Sequence, residues 1–332
     1  MDPTLYKTLQ VSRRFTYRYY SSPAKDSGSR TILFLHGFPN ADTDWRHQVS
    51  FFKERGYGLI VPQLLGYGES SKPTDPADYR QSLMSKDLTE ILDAEGVKQV
   101  VVIGHDWGAY VASRFALFKP ERTLAVGFVT VGYYPTNTGS FDIKAVHEIT
   151  KERFGYELFG YWEFFSASDA PKLCIDNFES FFNIIWPDDP KRWATDMAPV
   201  GAFRKNVEAN KIFPPPSWMS EENKRLISEP LLKNGFAAPM CYYRVQTTGM
   251  ACEDDKLLDG RKEINQPVFF LDALDDYVAS EGRFQVASGE TESPVLKYCK
   301  NPTIKRVKVD HWVMLHIPDE LNTALLEWLG NF

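Results

Sequence analysis

No stretch of this chain approaches the roughly 20 consecutive apolar residues that span a bilayer, so no membrane span is expected. Basic residues are not in excess: 38 Lys and Arg stand against 44 Asp and Glu, a net charge of -6. There is no long basic run, and without clustered cations to neutralise phosphates no nucleic-acid partner is expected. Cysteine is scarce. Cys174, Cys241, Cys252 and Cys299 show no C-x-x-C spacing, and the opening Met1-Asp2-Pro3-Thr4 has neither the charged nor the apolar region of a secretory leader. The expectation is a reduced, cytoplasmic setting. No His-Glu-x-x-His occurs, and His311 and His316 are five apart rather than four, so neither a metal nor another cofactor is expected. Repeats and low-complexity segments are missing, and no exposed heptad is legible, which leaves a monomer as the expected state.

What the chain does have is alternation. Thr31 to Leu35 and Leu59 to Val61 are continuous apolar runs, as in strands covered on both faces. Met84, Leu88, Ile91 and Leu92 lie at i, i+4, i+7 and i+8. That spacing gives a helix one apolar face, and Gly96 is placed to end it. Val100 to Ile103 reads as a central strand. Ala109, Ala112, Phe115 and Ala116 mark the helix after it, and Leu124 to Val131 the next strand. Such alternation predicts an α/β fold with a mostly parallel sheet flanked by helices.

The pattern changes at about Tyr133. From there to Arg261 the chain is rich in Phe, Tyr and Trp, with helix-like patches broken at Trp186-Pro187-Asp188-Asp189-Pro190 and Pro214-Pro215-Pro216. Strand patterning resumes at Pro267 to Leu271 and at Ile304 to Val309, and Leu321, Leu325 and Leu329 stripe a closing helix. The expected organisation is one core in two parts, residues 1–132 and 264–332, with a helical cap, residues 133–263, inserted between core strands. The aromatics of the cap suggest an apolar substrate pocket as well as packing.

The chemistry points to Val100-Val101-Val102-Ile103-Gly104-His105-Asp106-Trp107-Gly108-Ala109. Its glycines lie two residues either side of Asp106, the spacing of a nucleophile elbow, with aspartate where serine is usual. A serine that attacked a saturated carbon would leave an ether, which water does not readily cleave. An aspartate leaves an ester, which it does. The carboxylate also needs no deprotonation near neutrality, since its unperturbed pKa is about 3.9. The elbow therefore suggests attack on an sp3 carbon bearing a leaving group, such as an epoxide or alkyl halide carbon. The partners of such a nucleophile come in the order acid, then histidine, at the ends of later strands. Asp272, Asp275 and Asp276 follow one resumed strand and His311 follows the last. Asp272 falls too early in its strand, while Asp275 competes with Asp276.

These segments together resemble the soluble epoxide hydrolases of the α/β-hydrolase superfamily, of the single-domain fungal type. His36-Gly37-Phe38-Pro39 is similar to the oxyanion-loop motif of that family, Asp44-Trp45-Arg46-His47-Gln48 to the segment just after that motif, and Gly104 to Ala109 to its elbow. Asp276-Tyr277-Val278 resembles the segment of the orienting acid and His311-Trp312 that of the histidine. The resemblance implies an α/β-hydrolase fold with Asp106, Asp276 and His311 as triad. It further implies Phe38 and Trp107 backbone N–H groups as the oxyanion hole, and Phe38, Trp107 and Trp312 against the substrate. Opening an epoxide puts negative charge on its oxygen, where a positioned donor lowers the barrier. The family supplies two cap tyrosines for this. Met240-Cys241-Tyr242-Tyr243-Arg244 assigns Tyr243, and Gly160-Tyr161-Trp162-Glu163-Phe164-Phe165 assigns Tyr161, with Tyr156 its rival.

The implied reaction takes a small apolar epoxide and water to a vicinal diol, through an Asp106 ester hydrolysed by His311-activated water. Haloalkane dehalogenases share the aspartate elbow and the tryptophan after it. They need N–H donors for the departing halide, and Phe38 offers no side-chain donor. A fluoroacetate-type enzyme would carry Arg at position 107. A non-catalytic ligand-binding protein of this fold would be expected to have lost part of the triad.

Overall fold

The computed structural model describes residues 1–26 and 28–332. Two strands absent from the sequence reading open it, β1 (Tyr6–Gln10) and β2 (Thr16–Ser22). The expected alternation comes next: β3 (Thr31–Leu35), α1 (Arg46–Glu54), β4 (Gly58–Pro62), α2 (Gln81–Ala94), β5 (Val100–His105), α3 (Trp107–Phe118) and β6 (Thr123–Val129). The chain is then helical through α4 (Ile143–Phe154), α5 (Gly160–Ser166), α6 (Ala170–Asp176), α7 (Phe178–Ile185), α8 (Ala202–Glu208), α9 (Glu221–Asn234), α10 (Cys241–Thr247) and α11 (Met250–Asp255). It returns to the sheet with β7 (Val268–Ala273), α12 (Glu281–Ala287), α13 (Pro294–Tyr298) and β8 (Thr303–Val307), and closes with α14 (Val313–His316) and α15 (Pro318–Leu329).

Among the described residues eight strands form one sheet in the order β1-β2-β4-β3-β5-β6-β7-β8. Only the pairs β1/β2 and β2/β4 are antiparallel; β4/β3 and every pair beyond run parallel. Strands β4 and β5 are buried along their whole length, as the unbroken apolar runs require of a parallel sheet covered on both faces. The helix α3 is buried from Trp107 to Leu117. Its run of small and apolar residues shows no polar face because none meets water. The helix α2 ends as expected, with Gly96 at φ 66° just past Glu95.

Strand boundaries differ from the sequence reading for local reasons. β6 stops at Val129, not Val131, because Thr130 takes a left-handed φ of 71°. β8 stops at Val307, not Val309, because the Val309 N–H turns back onto the Val307 carbonyl at 3.1 Å. β7 runs past Leu271 to Ala273, so Asp272 lies inside the strand, opposite Arg306, rather than after it.

The inserted helices are tied to the core by groups distant in sequence. Arg114 on α3 grips Asp255 on α11 in a fully buried bidentate pair, Nε to Oδ1 at 2.7 Å and Nη2 to Oδ2 at 2.8 Å. The same guanidinium donates to the Tyr134 and Pro135 carbonyls at 2.6 and 3.1 Å. One side chain thus holds the segments leading into and out of the inserted helices. The Tyr242 hydroxyl on α10 adds a bond to the Leu65 carbonyl at 3.1 Å, and the Trp218 indole donates to Asp310 at 2.8 Å. Among the described residues no helix is long and apolar enough to cross a membrane. All four cysteines are free and buried.

Candidate active site

Asp106 sits between the end of β5 and the start of α3, with φ 54° and ψ -124°. An L-residue held there stores about 1–3 kcal/mol of backbone strain, which surrounding structure must hold in place. The flanking glycines permit the turn. A Cβ on Gly104 would run into the Gly108 carbonyl, and one on Gly108 into the Leu35 carbonyl. Asp106 Oδ1 accepts the Phe38 N–H at 2.7 Å, and the Trp107 amide also favours the charged carboxylate. Burial pushes the Asp106 carboxyl above the ordinary range, while His311 and these two amides pull the other way.

The loop that carries Phe38 is fixed by buried polar groups. His36 Nε2 accepts the Leu64 N–H at 3.0 Å and its Nδ1 faces the Gly37 carbonyl at 3.1 Å. Burial lowers the His36 pKa to about 4, so this imidazole is neutral and serves the loop. Asp44 is buried, accepts from Asn40 Nδ2 at 2.6 Å and is raised to about 7 by burial.

His311 follows β8 and points at both carboxylates. Its Nδ1 lies 2.6 Å from Asp276 Oδ2, and its Nε2 lies 3.7 Å from Asp106 Oδ2. Asp276 is fully buried, and its Oδ1 accepts the Val278 and Ala279 N–H groups, both at 2.9 Å. The carboxylate is thereby aimed. Burial opposes charge on His311, but Asp276, its hydrogen bond and Asp106 outweigh burial and raise the imidazole pKa above its ordinary value. Asp275, the rival acid, is half-buried beside Asp310 and lines a separate small recess. Asp272 accepts the Glu281 N–H at 2.9 Å and faces Arg306. His105 packs under the site, with its Nε2 2.9 Å from the His311 carbonyl. His316 pairs with Asp310 at 3.1 Å. Among the described residues no group of three or more His, Cys, Asp or Glu is arranged to hold a metal ion.

Above Asp106 and His311 lies a cavity lined also by Phe38, Trp107 and Trp312. Tyr161 on α5 and Tyr243 on α10 line it too, their rings edge to face at 6.0 Å. Burial raises the pKa of both phenols, helped next by the Asp106 charge at Tyr161 and by Tyr161 and then Asp106 at Tyr243, so they are protonated donors at neutral pH. Tyr156 is not in the cavity. Its hydroxyl donates to the Tyr277 carbonyl at 2.7 Å and accepts from Arg283 at 3.2 Å. The sequence reading did not single out Tyr110, Tyr134, Phe159 or Trp193, which are also part of the wall. Tyr110 was within reach of periodicity, since it lies one helical turn after Asp106 on the same face. Nothing local marks the others, which reach the wall through the packing of the inserted helices.

The arrangement holds a carboxylate with one oxygen pinned and one open, an imidazole aimed by a buried acid, and two phenol donors in an apolar cavity. The α/β hydrolase fold family matches residues 30–192. The chain is 28% identical over 315 residues to bifunctional epoxide hydrolase 2 of Mus musculus, covering 92% of this chain and 52% of that protein. It therefore spans about half the length of that relative. It is also 28% identical to an epoxide hydrolase of Neurospora crassa over 334 residues, 97% of this chain and 94% of that one. An epoxide hydrolase structure from an endophytic Streptomyces superimposes with a TM-score of 0.79 at 24% identity, covering 98% and 95% of the two chains.

Proposed function

We propose that this α/β-hydrolase-fold chain, a relative of epoxide hydrolases over most of its length, opens uncharged epoxides to vicinal diols. The observation that carries the reading is His311 between Asp276 and the open oxygen of Asp106, beneath two cavity phenols. Asp106 Oδ2 attacks a ring carbon, the epoxide C–O bond breaks, and Tyr161 or Tyr243 protonates the departing oxygen. The product of this step is an ester of Asp106. His311 Nε2 then takes a proton from a water that adds to the ester carbonyl. The charge that develops on Oδ1 falls where the Phe38 N–H, and with it the Trp107 N–H, stabilises it. Collapse expels the second diol oxygen. Of the two water protons, one passes through His311 to that oxygen and the other restores the tyrosine. Asp276 orients the imidazole and stabilises its charged form.

A haloalkane dehalogenase would use the same carboxylate, but the residue after His36-Gly37 is Phe38, which offers a halide no side-chain donor, whereas phenols suit an alkoxide. The test is diol formation from an aryl epoxide by the wild type beside an Asp106→Ala control. Diol from the wild type alone is the expected result. Halide release from haloalkanes at rates rivalling diol formation, or a fully active Asp106→Ala variant, would overturn the reading.

A further inference from the structure

The proposed mechanism uses two of the four tyrosines in the cavity wall. Tyr110 and Tyr134 remain. Tyr110 stands on α3, and Tyr134 lies in the segment leading from β6 into the inserted helices. Their rings meet edge-on at 5.1 Å, and Tyr110 packs edge-on against Trp107 at 5.9 Å. Among the described residues, no protein oxygen accepts a hydrogen bond from either hydroxyl. Neither is sealed in, unlike the Tyr67 hydroxyl, which is buried without a partner. Gln246 is buried nearby, but among the described residues its Nε2 has no hydrogen-bond partner and does not engage the Tyr110 hydroxyl. Each hydroxyl therefore has water as its available partner, and an oxygen acceptor on a bound molecule can take that water's place.

The surroundings set the character of that acceptor. The Arg114 guanidinium lies 4.7 Å from the Tyr110 ring centroid and 5.8 Å from that of Tyr134. A cation at the ring polarises the phenol and strengthens its O–H as a donor. That cation is already paired with Asp255, so it offers no free charge to a carboxylate. Among the described residues no Lys or Arg lines the cavity, whose ionisable groups are Asp106, His311 and the phenols. Asp106 would repel an anion. The two tyrosine pairs also differ in what they feel. After burial, Arg114 is the main influence on Tyr110 and Tyr134, while the Asp106 charge bears on Tyr161 and Tyr243.

We infer that Tyr110 and Tyr134 form a specificity site for a neutral acceptor, an ether or carbonyl oxygen carried by the substrate away from its epoxide ring. The preferred substrate class is then an uncharged, oxygen-bearing epoxide, ahead of a hydrocarbon epoxide or an epoxy acid. This inference rests on the epoxide-hydrolase reading for the chemistry, though not for the binding.

The test compares 1,2-epoxyoctane with isosteres in which an ether oxygen or a carbonyl replaces one methylene at successive chain positions, and with an epoxy carboxylate of equal length. The proteins are the wild type, Tyr110→Phe and Tyr134→Phe, substitutions that keep the ring packing. For at least one isostere, kcat/KM relative to 1,2-epoxyoctane should fall about two- to tenfold in a Phe variant, the effect of one neutral hydrogen bond. The loss should appear in KM and exceed any change for 1,2-epoxyoctane in the same variant, with the carboxylate the poorest substrate. Ratios unchanged within about twofold for every isostere in both variants would overturn the inference, twofold being the lower end of one such bond. A second readout is the affinity of the corresponding product diols, followed by tryptophan fluorescence. The same selective loss is expected there, and unchanged diol affinities in both variants would sink the proposal. If the wild type turns over none of the epoxides, the reaction assignment fails, and the diol affinities still decide the question of the second site.

Discussion

Replacing Asp276 by asparagine should separate the two halves of the proposed reaction. Asp276 Oδ1 holds two buried N–H groups, from Val278 and Ala279, and Oδ2 faces His311 Nδ1. An asparagine in this place has two orientations. With its oxygen on the two amides, its NH2 group faces Nδ1. With the amide flipped, two buried N–H donors lose their acceptor, at about 1–3 kcal/mol each. The first orientation therefore wins by about 2–6 kcal/mol, at least thirtyfold at the low end. It forces Nδ1 to accept, so the imidazole proton moves to Nε2, and a protonated Nε2 cannot take a proton from water. In the serine-protease triad the same wrong-tautomer substitution lowers turnover about 10⁴-fold. A comparable loss is expected here in ester hydrolysis alone. Alkylation, which needs Asp106 and the phenols, should stay within about tenfold of the wild type, since Asp276 does not touch the epoxide in this scheme. Rapid quench with intact-protein mass spectrometry would then show the chain gaining one substrate mass and holding it. Asp275→Asn, off the histidine, should hydrolyse its ester normally. Ester turnover by Asp276→Asn at near wild-type speed would refute the tautomer argument.

Three further outcomes rest on the same geometry. Tyr161→Phe and Tyr243→Phe should each slow alkylation by about 10²–10³-fold through loss of a donor to the developing alkoxide. Tyr156→Phe, whose hydroxyl is engaged outside the cavity, should not, and equal losses at all three positions in stopped-flow alkylation would contradict this assignment. The pKa of His311 is raised in the free protein partly by Asp106. Esterification removes that negative charge, so the imidazolium is less stabilised and its pKa drops. The acid limb of ester hydrolysis should accordingly lie at lower pH than the His311 titration of the unreacted protein, read by NMR; a limb at the same or higher pH would show that Asp106 has no such influence. Arg114→Met leaves Asp255 charged, buried and unpaired, and urea unfolding should show a loss of about 3–5 kcal/mol. A loss under 1 kcal/mol would mean that the ion pair is not what holds the segments flanking the inserted helices.

The elbow was legible because its spacing is local. Gly104, Asp106 and Gly108 lie within five residues, and each glycine is needed against a neighbouring carbonyl. The parallel strands were legible because full burial writes an unbroken apolar run, as in Val100 to Ile103. The hairpin β1/β2 was not. Tyr6 to Gln10 lies at the sheet edge with no buried residue and no strict alternation, and Thr16 to Ser22 buries tyrosines and serines rather than aliphatics. Asp272 was misplaced by a strand that runs two residues longer than its apolar stretch, since Asp272 and Ala273 still pair with β8. The Arg114–Asp255 pair spans 141 residues, and no periodicity in either segment announces it. Motif residues Phe38, Trp107, Trp312, Tyr161 and Tyr243 line the cavity, whereas Tyr110, Phe159 and Trp193, which line it too, lie outside any motif that was read.

The pinning of Asp106 has an isotopic consequence. Oδ1 is fastened by the Phe38 amide, and Gly37 leaves no room for even a methyl group beside the carboxylate. If the group does not rotate between cycles, Oδ2 is always the oxygen surrendered to product, and solvent refills that one position. In heavy-oxygen water the first diol should leave unlabelled, later diols should carry one solvent atom, and the peptide bearing Asp106 should gain a single label however many cycles it completes. The two oxygens of this carboxylate are then chemically unequal partners, one a permanent part of the fold and the other renewed with every molecule of product.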